Sequence, residues 1–175
     1  MSPGHSVLQV PVPPLEPFVR ARTGHYDRAY LAGDPSHVHA HVTALGPFLP
    51  HVDEEAAETV RGIAATTGPF DFTLARIATF PNGIIHLVPE PDEAFRELTR
   101  RLAEAFPQCP PYAGEFADVR PHLTLDLRST EVTEASTYDL LGDLVPASCR
   151  ATRLDLAWYQ PGACRVLRSW ELPGR

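Results

Sequence analysis

Apolar and polar residues alternate along several short stretches of the chain, and between those stretches the apolar positions recur at helical spacing. Ser6-Val7-Leu8-Gln9-Val10-Pro11-Val12-Pro13 alternates as a strand does, its prolines marking an edge or a strand end. Residues 15–30 predict a helix that buries Phe18, Val19, Tyr26 and Tyr30. After the turn Gly33-Asp34-Pro35-Ser36, a strand is expected from about His37 to Leu45, ended by Gly46-Pro47. Asp53-Glu54-Glu55 opens a second helix with acids in its first turn, and Ala56, Ala57, Val60, Ile63 and Ala64 continue it to Gly68-Pro69. Residues 70–80 read as a long strand, Pro81-Asn82-Gly83 as a hairpin turn and residues 84–88 as the return. A third helix starts at Pro91-Asp92-Glu93 and carries Phe95, Leu98, Leu102, Ala105 and Phe106. Beyond a loop at residues 107–115, the pattern predicts a strand over 119–127, a helix over 132–144, and strands over 151–159 and 164–172.

That order repeats. His41-Val42-Thr43-Ala44 and His122-Leu123-Thr124-Leu125 each place a histidine and a threonine two apart with an apolar residue between, and the histidines are 81 residues apart. Hairpin turns at Pro81-Asn82-Gly83 and Pro161-Gly162 follow them at similar intervals. Leu8-Gln9-Val10-Pro11 with Phe18 likewise matches His86-Leu87-Val88-Pro89 with Phe95. The chain therefore reads as two pseudo-repeats, each strand, helix, histidine strand, helix, strand, within one unit spanning residues 1–175. On an extended strand, residues i and i+2 share a face, so each histidine stands with its threonine while Val42 and Leu123 turn into the core. Two such pairs facing each other surround one small anion with two imidazoles and two hydroxyls. General acid–base chemistry at a phosphodiester uses that arrangement.

Composition narrows the choice. With 43% apolar residues in 175, the chain can build a real core. The apolar runs are too short for a membrane span, and Met1-Ser2-Pro3-Gly4-His5 lacks the start of a secretory signal, so a cytoplasmic location without membrane association is expected. Cys109, Cys149 and Cys164 form no C-x-x-C pair and read as reduced structural thiols. A formal charge of −7 argues against an extended nucleic-acid surface but leaves a small nucleotide or an RNA terminus as partner. All 15 basic residues are arginine. Without lysine there is no lysine nucleophile, Schiff base or phosphate-loop motif, and no ligase working through a lysyl-nucleotide intermediate.

With its paired motifs, size and repeat, the sequence resembles the two-histidine (2H) phosphoesterase superfamily, and within it the 2′-5′ RNA ligase-like group of RNA 2′,3′-cyclic phosphodiesterases. The resemblance implies an α+β, bilobal, pseudo-two-fold fold, with two mainly antiparallel sheets flanked by helices around a central cleft. It implies cleavage of a 2′,3′-cyclic phosphate or 2′-5′ phosphodiester with neither metal nor cofactor, His41 and His122 sharing the acid and base roles and Thr43 and Thr124 binding the phosphate. With an RNA hydroxyl in place of water, the same site would join RNA ends.

Strand alternation adds Arg120 as a phosphate ligand, against the reading of a solvated arginine at a strand entrance. Tyr159, Trp158, Phe80 and Phe48 lie near strand ends, where each can stack on a base or pack in the core. Two other classes compete. His37, His39 and His41 alternate along one strand face and could hold zinc or iron, though nothing obvious completes that site beyond Asp34 or His51 nearby. A non-catalytic module could bind nucleotides or RNA ends in the same cleft. His5, His25, His51 and His86 read as surface or packing residues.

Overall fold

The computed structural model describes residues 3–115 and 119–174. In chain order it contains β1 (His5–Pro11), α1 (Glu16–Tyr26), β2 (His41–Leu45), α2 (Glu54–Thr67), β3 (Phe70–Thr79), β4 (Ile84–Glu90), α3 (Glu93–Ala105), β5 (Leu123–Leu127), α4 (Glu134–Leu141), β6 (Ala147–Ala151), β7 (Arg153–Tyr159) and β8 (Arg165–Glu171). The architecture is α+β, as expected. Among the described residues, no helix is long and apolar enough to cross a membrane.

The eight strands form one sheet in the order β6-β3-β4-β5-β2-β1-β7-β8. The two sheets expected from sequence are its four-stranded halves, and they meet at β2 and β5 through a single registered pair, Val42 opposite Leu123. The repeats also exchange strands: β3 ends the first repeat but pairs with β4, while β7 of the second pairs with β1. Helices cross the seam in the same way. From the first repeat α1 packs on β5, and from the second α3 packs on β2, where the Thr99 hydroxyl donates to the Ala44 carbonyl at 2.7 Å.

Burial follows the predicted apolar positions. Leu8, Val10, Leu15, Leu87, Leu98, Leu102, Leu154 and Leu156 are buried, and Phe95 stands edge-on to Phe70 and Phe72 at 4.9 Å each. The three cysteines are free and buried.

Several elements are shorter than the pattern predicts, each for a local reason. The first histidine strand begins at His41 rather than His37, because the N–H groups of His39 and Ala40 bond the Glu16 carboxylate instead of a neighbouring strand. The second begins at Leu123, after Pro121, which has no N–H to give. At Asp27 the first helix stops in extended backbone, and Tyr26, expected inside, is 57% exposed. The helix predicted over 132–144 is α4, opened by Thr133 and Ser136 in a reciprocal capping box. Strand β6 is additional: five small or polar residues after Pro146 carry little strand signal, yet they cover the edge of β3.

Leu123 is fully buried at the join between the two halves. Leu123→Ala is expected to cost ~2–5 kcal/mol. Urea unfolding should show a lower midpoint with an unchanged slope; an unaltered midpoint would mean that the seam adds little to stability.

Candidate active site

Val42 and Leu123 set the geometry of both motifs. An antiparallel register carried one residue either way from this pair puts His41 across from Thr124, and Thr43 across from His122. Each histidine therefore stands beside the other motif's threonine. Both motif strands carry an extra, unpaired residue at the same place, Ala44 in β2 and Leu125 in β5, so that the pairing shifts between Leu8 and Gln9 and between Ile85 and His86. After the bulge, Gln9 lies opposite Thr43 and His86 opposite Thr124.

Each imidazole is anchored through Nδ1 to a carbonyl two residues upstream: His41 to His39 and His122 to Arg120, both at 2.8 Å. A carbonyl only accepts, so Nδ1 carries the proton and Nε2 is left with its lone pair. Burial pulls the His122 imidazole down to about 4, the Arg120 carbonyl opposing and His86 and His41 reinforcing the shift. His41 is also lowered, by burial, against the pull of the His39 carbonyl. Both rings are neutral at pH 7 in the free protein.

The surroundings of the two rings differ. Tyr159 lies 6.1 Å from His41 between ring centroids, stacks on His5 and donates its hydroxyl to Gln9 Oε1 at 2.5 Å. Gln9 is completely buried. Beside His122, Phe80 stands edge-on at 4.9 Å and lies flat on His86 at 3.8 Å. His86 is buried and donates Nδ1–H to the Ile84 carbonyl at 3.1 Å. Tyr112 stacks over His122 at 6.0 Å and shares a side-chain hydrogen bond with Thr43. Its backbone is left-handed, with φ 52°, and is held by its N–H to the Gly46 carbonyl at 2.7 Å. A tyrosine in that conformation is strained, and strain of this kind gathers at functional sites.

Behind His41, Glu16 accepts from the N–H groups of His39 and Ala40 and from His39 Nδ1. Burial works to raise the Glu16 carboxyl, but the hydrogen bonds from His39 and Ala40 together hold it below its ordinary value. His39 Nε2 accepts from the Ala32 N–H at 3.1 Å. Both nitrogens of that ring are thus engaged, which removes it from the metal-binding reading of His37, His39 and His41. Among the described residues no three His, Cys, Asp or Glu side chains group as a metal-ion site. His37 is 3% exposed, wedged edge-on between His39 and Tyr159, and neither of its nitrogens has a partner among the described residues.

Two recesses flank the seam. A cleft of about 590 Å³ is lined by His41, Thr124, Tyr159, Tyr26 and Arg22. At its wall Asp126 pairs with Arg22 Nε at 2.6 Å and accepts from the Tyr26 hydroxyl. A smaller recess of about 220 Å³ is lined by Thr43, Tyr112, Arg96, Arg100 and Arg120.

Of the aromatic candidates, Tyr159 and Phe80 do adjoin the histidines. Trp158 instead donates to Gln160 Oε1, and Phe48 is buried edge-on against Phe106 at 4.8 Å. Phe48 is therefore a core residue and lines neither recess, so its assignment to substrate is withdrawn. Sequence reasoning missed Gln9, His86 and Tyr112 as neighbours of the motifs. Aligning the repeats by sequence matches His86 with Leu8, one residue away from the Gln9 equivalence that the strand register gives.

An eight-stranded antiparallel α+β sheet with two His-x-Thr motifs meeting at its centre defines the class: a two-histidine phosphoesterase. The family signature of the 2′-5′ RNA ligase superfamily matches residues 11–163, and the chain belongs to that superfamily. Solved structures share the fold. E. coli LigT complexed with 3′-AMP has a TM-score of 0.57 at 20% identity, over 98% of this chain and 99% of that one. The ATP complex of E. coli LigT gives 0.55 at 21%, with the same coverage. TT0787 of Thermus thermophilus gives 0.56 at 20%, again over 98% and 99%. No curated relative matches the chain.

The neutral histidines make stability depend on pH. His122 and His37 sit at about 4 in the fold, lowered chiefly by burial, against roughly 6.5 in an unfolded chain. The unfolded state therefore binds more protons below pH 6.5, so stability is full above that value and falls as the pH drops toward 4. Urea midpoints measured from pH 7 to 4.5 should decline, and the His122 ring in NMR should stay the neutral Nδ1–H tautomer at pH 6. A flat midpoint series, or His122 titrating near 6.5, would contradict this assignment.

Proposed function

We propose that the protein hydrolyses a 2′,3′-cyclic phosphate or a 2′-5′ phosphodiester of a nucleotide or RNA end, without a metal ion. The observation that carries this reading is the pairing of the motifs: two imidazoles, each fixed through Nδ1 to a backbone carbonyl and each beside the other motif's threonine. Fixing Nδ1–H dedicates both Nε2 atoms to proton exchange with whatever enters between them.

In the proposed reaction, one neutral imidazole takes a proton from water through Nε2 while the water oxygen attacks phosphorus. The bond from phosphorus to a ribose oxygen breaks, and the other histidine, as imidazolium, gives that oxygen its proton. The free protein holds two neutral rings, so the acid form arises with the substrate: an anion within about 4–6 Å raises an imidazole pKa. Thr43 and Thr124 donate to the non-bridging oxygens as charge builds on them. With an RNA hydroxyl in place of water as the attacking group, the same steps join RNA ends. Membership of the 2′-5′ RNA ligase superfamily supports this chemistry, and the LigT complexes with 3′-AMP and ATP support a nucleotide ligand. Three free cysteines fit action in the reducing cytoplasm.

The test is hydrolysis of nucleoside 2′,3′-cyclic monophosphates and 2′-5′ dinucleotides in EDTA, from pH 5 to 9. His41→Ala and His122→Ala are each expected to lose about 10²–10⁴ in kcat. Because kcat/KM reports the free enzyme, its optimum should lie on the acid side of that for kcat. A wild-type protein inert in EDTA but restored by a divalent ion would overturn the metal-free reading.

A further inference from the structure

We infer that the smaller recess is a second anion subsite, holding a further phosphate group of the substrate whose scissile phosphate lies at the seam. The inference rests on the phosphodiesterase reading above and names its substrate class. Thr43 borders the recess, which therefore adjoins the motif pair directly. Three guanidinium side chains line it: Arg96 and Arg100 from α3, and Arg120 from the segment ahead of β5. They come from two separate parts of the chain, and α3 packs on β2, the strand that carries Thr43. In a chain of formal charge −7, this convergence of three arginines runs against the overall sign.

Carboxylates share these groups. Arg96 pairs with Asp92 at 2.8 Å, and Arg100 with Glu97 and Glu104 at 2.6 Å each, all along one helix surface. Solvent-facing pairs within a helix are weak. A phosphate accepts paired hydrogen bonds from guanidinium and can displace them. A volume of about 220 Å³ accommodates such a group. On the other side of the seam, the larger cleft offers Val19, Tyr30, Ile84, Leu125 and Tyr159, walls suited to a nucleoside. One side of the site is thus largely apolar, and the other carries three guanidinium groups. A nucleotide bearing at least two phosphate groups fits both, and a nucleoside cyclic monophosphate fills only one.

Calorimetric binding of adenosine 3′-monophosphate and adenosine 3′,5′-bisphosphate separates the cases without relying on turnover. Wild type should bind the bisphosphate at least ~10-fold tighter, with a gap that narrows as salt rises. That gap should close in Arg96→Ala/Arg100→Ala and in Arg120→Ala. Equal affinities in wild type, or a gap that persists in both variants, would overturn the subsite. Hydrolysis of cyclic monophosphates with no gap sinks the subsite and spares the phosphodiesterase reading; a gap without turnover does the reverse.

Discussion

One apolar contact, Val42 against Leu123, decides where every polar group of the site stands. The two halves of the sheet share this registered pair, and both residues are fully buried. Because side chains alternate along a strand, burying these two turns their neighbours away from them: His41 and Thr43 on one side, His122 and Thr124 on the other. A slip of one residue in either strand would bury the motif groups and expose the apolar pair, at a cost of several kcal/mol, on the order of that for unpaired buried polar groups. The polar quartet is thus a consequence of hydrophobic burial. Helices α1 and α3 reinforce the register, since each crosses the seam to pack on a strand of the other repeat.

How much of this the sequence reveals depends on how local the cause is. The β3–β4 hairpin and helices α2 and α3 follow from nearby residues: Asn82-Gly83 at the turn, where Gly83 adopts φ 95°, and the acidic first turns of the helices. The four motif residues are legible for the same reason, because a two-residue spacing is a local fact. Other features have distant causes. The first histidine strand is short because a carboxylate 23 residues upstream takes its N–H groups. The exchange of β3 and β7 between halves is a matter of topology, on which the order of elements is silent. Gln9 and His86 become equivalent only through the register of β1 on β2 and of β4 on β5. Tyr112 reaches His122 through a left-handed backbone that no tyrosine signals in advance.

The backbone repeat makes the two histidines near-equivalent in position, and the side chains around them undo that equivalence. His41 backs onto polar groups: Gln9 with Tyr159, and the Glu16 carboxylate bonded to His39, whose own carbonyl holds His41. His122 stands among rings, with Phe80, His86 and Tyr112 around it. Burial lowers both imidazoles; at His41 the neighbouring His39 ring disfavours a proton while the Glu16 charge favours one, and at His122 the neighbouring His86 and His41 both disfavour one. A reaction that needs one proton donor and one acceptor cannot run on two identical imidazoles without first choosing between them. Here the two imidazoles differ in their surroundings rather than in their motifs. Even the buried imidazole that accompanies each motif differs: His86, beside His122, is tied to the Ile84 carbonyl, while His37, on the His41 side, has no hydrogen-bond partner among the described residues. Two copies of one motif thus stand in different surroundings, made by residues that the repeat does not share.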